Sequence, residues 1–479
     1  MPVTSHDAAS QPRPAGWRRA GVSLEARDLL SAPRDGRSTS PRPRAIIDRL
    51  ADAGVRALQL PITVAPGPDG APASAFAGDR RALDFDELRA LGLMEADDHS
   101  VDTAIDRLLH LPESDPLARE LFRFCERESW WLADHVAFVE TARQHPGTTR
   151  AEWPRTDRIR ALGAHRARSS TYGATHRHPE AAVQFLVDRQ RQQLLDHARR
   201  RDVLLIADVP YAVSDHSADV WSMPDAFSLD EDLHARHRVG RAPDPSHPGG
   251  IAWSMPALRW NTHTADGFTW WLRRIQHATR GADVLHLQDA RLFADWWCIP
   301  PQAAFATTGE WHDGPGHVLI EQARTQVPDA TVVFDESGPR TPRLDAVAVA
   351  LDGPRSRSLT RGFMAGGASA DLPFAWSDQD VASTSMHGEP SVAEWARQHA
   401  GSAAVAFAMR VTGATNPDEL PMAAIDTLLR STARVATVPL GAVLGERAST
   451  SHLAHELLHD DAVLERVRDT LSGTDRGTP

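Results

Sequence analysis

The stretch "AAVQFLVDRQRQQLLDHARRRDVLLIADVPYAV", residues 181–213, decides the fold class. Its first part has apolar residues at helical spacing, and its second part, residues 202–213, is a near-continuous apolar run that predicts a strand. Strands that are apolar on both faces are typical of a parallel sheet covered by helices. The stretch is therefore one helix–strand unit of an α/β protein.

The same pattern recurs along the chain. Further strand candidates are "VRALQLPIT" from residue 55, "ADVLHLQDA" from 282, "ATVVFDES" from 330, "LDAVAVALDG" from 344, "DVASTSMH" from 380 and "ARVATVPLGAVLG" from 433. About eight such units predict a (β/α)8 barrel, the TIM barrel. Residues 64–180 break the rhythm and have helical patterning, so they predict an insertion between early strands.

Length and composition suit one large barrel. The chain has 479 residues, of which 41% are hydrophobic and 24% are charged, which is an ordinary globular balance. The Pro/Ser-rich start and polar end of the chain give three predicted parts. These are a flexible N-terminus over 1–18, the barrel over 19–460, and a helix end with a flexible tail over 461–479.

Charge and cysteine content exclude several classes of partner. The net charge of -12 argues against binding to nucleic acid, and the absence of an apolar run of about 18 residues argues against a membrane span. The N-terminus lacks the apolar core of a signal peptide. Cys125 and Cys298 cannot form a disulfide framework, so the sequence predicts a cytoplasmic protein. No cofactor motif is present, and the expected partner is a small molecule or sugar.

Candidate functional residues stand where the predicted strands end, because barrel chemistry lies at the C-terminal ends of the strands. They are Asp208, the cluster at 286–289, Asp335 with Glu336, and His387. Each one taken alone is more simply explained as a loop cap or as a partner of an arginine.

Four stretches resemble the 4-α-glucanotransferase family, the amylomaltases of glycoside hydrolase family 77. They are "ASAFAGD" at 73–79, "FCERESWWLADHVAF" at 124–138, "ADVPYAVSDHSADVWSMPDAF" at 207–227 and "APDPSHPGGIAWSMPALRW" at 242–260. The resemblance is collinear from about residue 20 to about residue 448. It implies a (β/α)8 barrel with helical insertions and a cytoplasmic enzyme that acts on α-glucans.

The resemblance also implies a retaining mechanism with three carboxylates. This chain has no carboxylate at two of the three positions. The family's attacking aspartate falls on Gln288, and the arginine two residues earlier falls on His286. A neutral amide cannot form the covalent glycosyl ester. Asp289 is expected to point toward the helices if Gln288 points into the barrel, because successive strand residues face opposite ways.

The remaining family positions are partly retained. The acid/base glutamate becomes Asp335, one methylene shorter, and the neighbouring Glu336 is expected to point away. The third carboxylate becomes Gly388, directly after the retained His387. Trp253 is the best candidate for an aromatic sugar platform, because its stretch resembles the family's substrate loop.

These departures favour a repurposed enzyme with acid/base chemistry at the same barrel mouth. His286 would be a general acid or base, Asp335 a second proton carrier, and Gln288 a group that polarises a carbonyl or hydroxyl. The ligand-binding residues would be Asp208, Trp253, Asp289, Glu336 and His387. Two alternatives stay open, namely a weakly active 4-α-glucanotransferase that transfers α-1,4-glucans and a non-catalytic glycan-binding or regulatory protein.

Two further motifs carry weaker signals. "HELLH" at 455–459 matches a zinc-protease pattern, but it follows the last predicted strand and has no further ligand, so a solvated helix is favoured and no metal is predicted. "RGFMAGGASAD" at 361–371 is glycine-rich without the order of a phosphate-binding loop, which predicts a mobile loop near the barrel mouth.

Overall fold

The computed structural model describes most of the chain. The described residues are 18–25, 33–34, 37–38, 42–61, 64–160, 175–244, 247–303, 305–328, 330–336, 338, 340–350, 353–386, 388–445 and 453–472.

Eight parallel strands form a nearly closed barrel. They are β1 (Arg19–Ser23), β2 (Ala57–Pro61), β3 (Leu204–Val209), β4 (Val284–Leu287), β5 (Thr331–Phe334), β6 (Ser356–Ser358), β7 (Val381–Ser383) and β8 (Val435–Pro439). Each strand pairs with the next in chain order from β1 to β5 and from β6 to β8, and β8 pairs with β1. A single parallel bridge between Phe334 and Arg355 joins β5 to the start of β6. The predicted (β/α)8 barrel is confirmed.

Helices surround this barrel. Those before β4 are Pro43–Asp52, Phe85–Ala90, Val101–Leu109, Pro116–Arg127, Ser129–Gln144, Pro179–Arg200, Ala218–Ser222, Trp260–Ala265 and Thr269–Ala278. Those after β4 are Val318–Gln326, Pro342–Ala350, Leu359–Ala365, Val392–Gln398, Ala403–Thr412, Leu420–Arg430, Leu440–Leu444, Leu453–His459 and Asp461–Leu471. No helix in the described part of the chain is long and apolar enough to cross a membrane.

The helix and strand quoted at the outset form as their sequence predicts. Pro179 occupies the first turn of helix Pro179–Arg200, and the His178 side chain accepts a hydrogen bond from the backbone NH of Glu180, so the start of the helix is capped. The helix ends two residues before the apolar run that leads into β3. All but the first residue of β3 are buried, as expected for a strand that is covered on both faces.

Two short sheets lie outside the barrel. One has four antiparallel strands in the order Glu310–Asp313, Asp295–Ile299, Arg238–Arg241 and Ile251–Pro256. Its first two strands follow β4 and its last two follow β3, so the sheet grows from the C-terminal side of these barrel strands. The other is the hairpin of Pro33–Arg34 and Arg37–Ser38.

Three local predictions differ from the structure. The run "LDAVAVALDG" predicted a strand, but residues 342–350 form a helix, because Pro342 favours a helix start and small alternating Ala and Val residues fit either period. The strands β1 and β6 were not predicted, since "RAGVS" and "SRS" are short and largely polar or small. The glycine-rich run from Arg361 begins inside helix Leu359–Ala365 instead of a loop.

The barrel interior is built in layers of side chains from successive strands. An apolar layer consists of Ala57, Ile206, Val284, Val333, Val381 and Val435, which form one buried cluster. Residues two positions further along a strand face the same side. The next layer toward the C-terminal ends is therefore polar, and its members Gln59, Asp208, His286, Asp335, Ser383 and Thr437 are all buried.

Candidate active site

A hydrogen-bonded chain crosses the polar layer from β8 to β4. The hydroxyl of Thr437 donates to the Gln59 Oε1 at 3.1 Å, and the Gln59 Nε2 donates to the Asp208 Oδ1 at 2.7 Å. The same Asp208 oxygen lies 2.7 Å from the Nδ1 of His286. Asp208 thereby fixes the ring orientation of His286. The His286 Nε2 is buried and has no hydrogen-bond partner among the described residues.

This environment favours the protonated form of His286. Burial disfavours the imidazolium, but the hydrogen bond and charge of Asp208, together with the charge of Asp335, outweigh it and raise the pKa of His286 above its ordinary 6.5. An imidazolium with one nitrogen held by a carboxylate and the other unpaired is a competent proton donor.

Asp335 follows β5 and is held as a carboxylate. Its Oδ1 accepts a short hydrogen bond from the Nη1 of Arg361. Burial opposes ionisation, yet the charges of Arg361 and His286 outweigh it and lower the pKa of Asp335 below its ordinary 3.8. The charges of Asp335 and His286 each favour the ionised form of the other. Asp335 is therefore better suited to stabilising positive charge than to donating a proton.

Arg361 lies among three carboxylates. Besides Asp335, its Nη2 is 3.6 Å from the Oδ1 of Asp371 and its Nε is 3.5 Å from the Oε1 of Glu389. Burial raises the pKa of Asp371 despite the attraction of Arg361. Glu389 directly follows Gly388, and it brings a carboxylate to this end of the barrel next to the position where the resemblance expected one.

Gln288 and Asp289 form the turn that ends β4. The backbone NH of Gln288 donates to the carbonyl of Val209 at 3.1 Å, which ties the turn to the end of β3. Asp289 has a φ of +50°, outside the strand conformation, so strand alternation does not govern its side chain. It lines a cavity of about 10 Å³ together with Arg241 and Trp253. The expectation that Asp289 points toward the helices rested on alternation and stays a prediction, because β4 ends at Leu287.

Glu336 lies apart from the polar layer, as predicted from alternation. Its carboxylate pairs with the Nε of Arg355 at 2.8 Å and with the Nη1 of Arg340 at 3.1 Å. These contacts lie beside the bridge that joins β5 to β6. The structure brings together His286, Asp335 and Asp208 in one cluster and places Asp289 with Trp253, but it gives Glu336 a place in the barrel wall.

Several polar residues of the site escaped the sequence analysis, among them Gln59, Arg361 and Glu389. A signal existed for Gln59, which is the one polar side chain within the strand "ALQLP". Arg361 and Glu389 gave a weaker signal, because the first was assigned to a loop and the second only neighbours a family position. His387 lies outside the described residues.

No metal centre is evident in the described part of the chain, where no group of three or more His, Cys, Asp or Glu side chains could hold an ion. The "HELLH" motif lies within helix Leu453–His459, and the absence of a metal or cofactor stays a prediction. Cys125 and Cys298 are both free and buried.

Comparison with known proteins identifies the family. The model of the 4-alpha-glucanotransferase family matches residues 43–451. The chain belongs to this family. The match covers most of the barrel, in agreement with the four stretches that resemble amylomaltases. The roles of Gln288, Gly388 and the other site residues stay predictions.

Relatives and solved structures agree with this assignment. The chloroplastic/amyloplastic 4-alpha-glucanotransferase of Solanum tuberosum is 26% identical over 477 residues, covering 93% of this chain and 81% of that protein. The 4-alpha-glucanotransferase of Thermus thermophilus is 29% identical over 398 residues, covering 78% and 79%. The Streptococcus agalactiae amylomaltase, solved with acarbose, shares the fold with a TM-score of 0.81 at 20% identity and covers 96% of this chain and 100% of that one.

Proposed function

We propose that the protein is a slow 4-α-glucanotransferase that moves α-1,4-linked glucosyl units with a rearranged set of carboxylates. Family membership supports the substrate class. The observation that carries the proposal is the position of Asp289, whose φ of +50° takes it out of the strand pattern and which lines a small cavity with Trp253. A carboxylate is thus present one residue after the neutral Gln288. The two free cysteines accord with a cytoplasmic enzyme.

The proposed reaction has two displacements. In the first, an Asp289 oxygen bonds to the anomeric carbon while the glycosidic C–O bond breaks, and the departing oxygen takes the proton of the His286 imidazolium. In the second, the acceptor hydroxyl gives its proton to His286, bonds to the anomeric carbon and releases Asp289. Two inversions retain the α configuration. The ionised Asp335 stabilises the positive charge that develops on the sugar ring.

The proposed arrangement predicts slow turnover. His286 lies in the buried polar layer, one layer below the half-buried Gln288 at the mouth. Asp289 stands one residue after Gln288, the position on which the family's attacking aspartate falls. Reacting groups that are misplaced by about 1 Å lose on the order of 10²-fold in rate.

Incubation with maltotriose tests the activity, because disproportionation yields glucose and longer maltodextrins that chromatography separates. Asp289→Asn should abolish these products, whereas the matched change Asp225→Asn, at a side chain that is 95% exposed, should not. An activated fluorinated maltosyl substrate should leave a sugar adduct on the peptide that contains Asp289, detectable by mass spectrometry. Unchanged products in Asp289→Asn, or an adduct elsewhere, would contradict the proposed route.

A second candidate function is acid/base catalysis on a different small metabolite or glycoside. The observation in its favour is the His286–Asp208 pair with its unpartnered Nε2 below the neutral Gln288. In that case the wild-type protein makes no products from maltotriose, and Gln288→Asp combined with Gly388→Asp creates the activity. No described atom lies within 4 Å of a Cβ at Gly388, so the space exists, although its φ of +80° adds about 1 kcal/mol of strain.

Calorimetry distinguishes a non-catalytic protein from both enzymes. Binding of maltotriose by the wild-type protein, without products from the wild type or from the double variant, would favour a glycan-binding role.

A further inference from the structure

The carboxylate of Glu389 is anchored more firmly than a surface glutamate. Its Oε2 accepts hydrogen bonds from the Ser358 hydroxyl at 2.6 Å, from the Thr360 hydroxyl at 3.0 Å and from the backbone NH of Met386 at 2.9 Å. The side chain is only 10% exposed. Three donors on one oxygen fix the direction of the other oxygen.

That other oxygen, Oε1, faces Arg361. It lies 3.5 Å from the Nε of the guanidinium, while the opposite edge of the same guanidinium contacts Asp335 through Nη1. The Arg361 side chain is 9% exposed, so water contributes little to its orientation. Glu389 and Asp335 therefore hold the two sides of one buried cation.

The backbone explains why the carboxylate comes from residue 389. Gly388 has a φ of +80°, a conformation that glycine adopts without steric cost. The chain turns at this residue, and the side chain that enters the barrel end belongs to the next position. Glu389 joins the turn to the neighbouring strand, because it accepts from the backbone NH of Met386 in the turn and from the Ser358 hydroxyl at the end of β6.

We infer that Glu389 is a positioning residue that holds Arg361 against Asp335 and thereby keeps Asp335 ionised for the reaction. The catalytic part of this inference rests on the proposed glucanotransferase function, but the electrostatic part does not. A carboxylate that merely stands near Asp335 and one that positions Arg361 make opposite predictions. Loss of a mere like charge lowers the pKa of Asp335, whereas release of Arg361 raises it.

Titration of Asp335 decides between these two roles of Glu389. The protein is labelled with ¹³Cγ-aspartate, and the Asp335 signal is assigned by its absence from Asp335→Asn. In Glu389→Gln the pKa of Asp335 should rise by about one unit or more, and in the matched control Glu394→Gln, at an exposed helix residue, it should not change. An unchanged or lower pKa of Asp335 in Glu389→Gln overturns the inference.

Kinetics supply the second readout. With maltotriose, Glu389→Gln should lower kcat by about tenfold with little change in KM, and Glu389→Asp should restore part of the loss. If the wild type makes no products, the proposed function fails while the titration still tests the role of Glu389. If Glu389→Gln does not fold by circular dichroism, Glu389→Asp is titrated instead and should raise the pKa of Asp335 by a smaller amount. An unshifted pKa in that variant overturns the inference.

Discussion

Between β8 and β4, hydrogen bonds join four buried polar side chains: Thr437, Gln59, Asp208 and His286. The chain ends at the His286 Nε2, which has no partner in the described part of the protein. Between β5 and β7, the groups around Arg361 are ionic and each side of the guanidinium faces a carboxylate. The first region can gain or lose a proton at Nε2 without breaking a contact. In the second, loss of the guanidinium would leave buried carboxylates without their cation. One region is suited to moving a proton and the other to holding a fixed charge.

Arg361→Met tests this difference most strongly. Removal of the guanidinium leaves Asp335, Asp371 and Glu389 buried without their shared cation, and the free energy of unfolding should fall by about 3–5 kcal/mol. Urea denaturation followed by circular dichroism measures the loss. Arg361→Lys retains the charge and should lose less, although it cannot reproduce the three-sided contact. A loss below about 1 kcal/mol in Arg361→Met would show that the cluster is not a rigid ionic unit.

Asp208→Asn tests the proton-moving region. The pKa of His286 is raised above 6.5 in the folded protein, so its contribution to stability is present below about pH 6.5 and is lost as the pH rises through the folded value. In Asp208→Asn the carboxylate charge is gone, and the pKa of His286 should fall by about one unit or more. In the profile of maltotriose activity against pH, the high-pH limb should shift to lower pH by the same amount.

The low-pH limb provides the matching control for Asp208→Asn. Asp335 has a pKa below 3.8, so its stabilising contribution is present above about pH 3.8 and is lost as the pH falls through the folded value. The charge of Arg361 is the main cause that lowers the pKa of Asp335, so the low-pH limb should stay nearly unchanged in Asp208→Asn. A shift of both limbs together in Asp208→Asn would mean that the two regions titrate as one.

The two regions also differed in how far the sequence predicted them. Asp208 and His286 follow near-continuous apolar runs, so their places at strand ends followed from the pattern. Asp335 was predicted for the same reason. Arg361 and Glu389 follow β6 and β7, which are three residues long and are stabilised by neighbours in the barrel instead of by an apolar pattern of their own. Long-range contacts of this kind leave no periodic signal in the sequence.

Strand alternation does not reach Asp289, for a local reason. Alternation holds only while the backbone is extended, and β4 ends at Leu287, one residue before Gln288. A turn residue with positive φ is common for aspartate, but the sequence did not mark where the strand would stop. Glu336 also lies two residues past the end of its strand, and its position apart from the polar layer is shown by its contacts with Arg355 and Arg340.

Glu336→Gln should have the smallest effect, and only on stability. The Glu336 carboxylate pairs with Arg355 and Arg340 where a single bridge closes the barrel between β5 and β6. The side chain is 14% exposed, and the amide retains some hydrogen bonds, so the free energy of unfolding should fall by about 1–2 kcal/mol. The pKa of Asp335 and the maltotriose rate should not change. A kinetic defect as large as that of Glu389→Gln would contradict the separation of Glu336 from the ionic cluster.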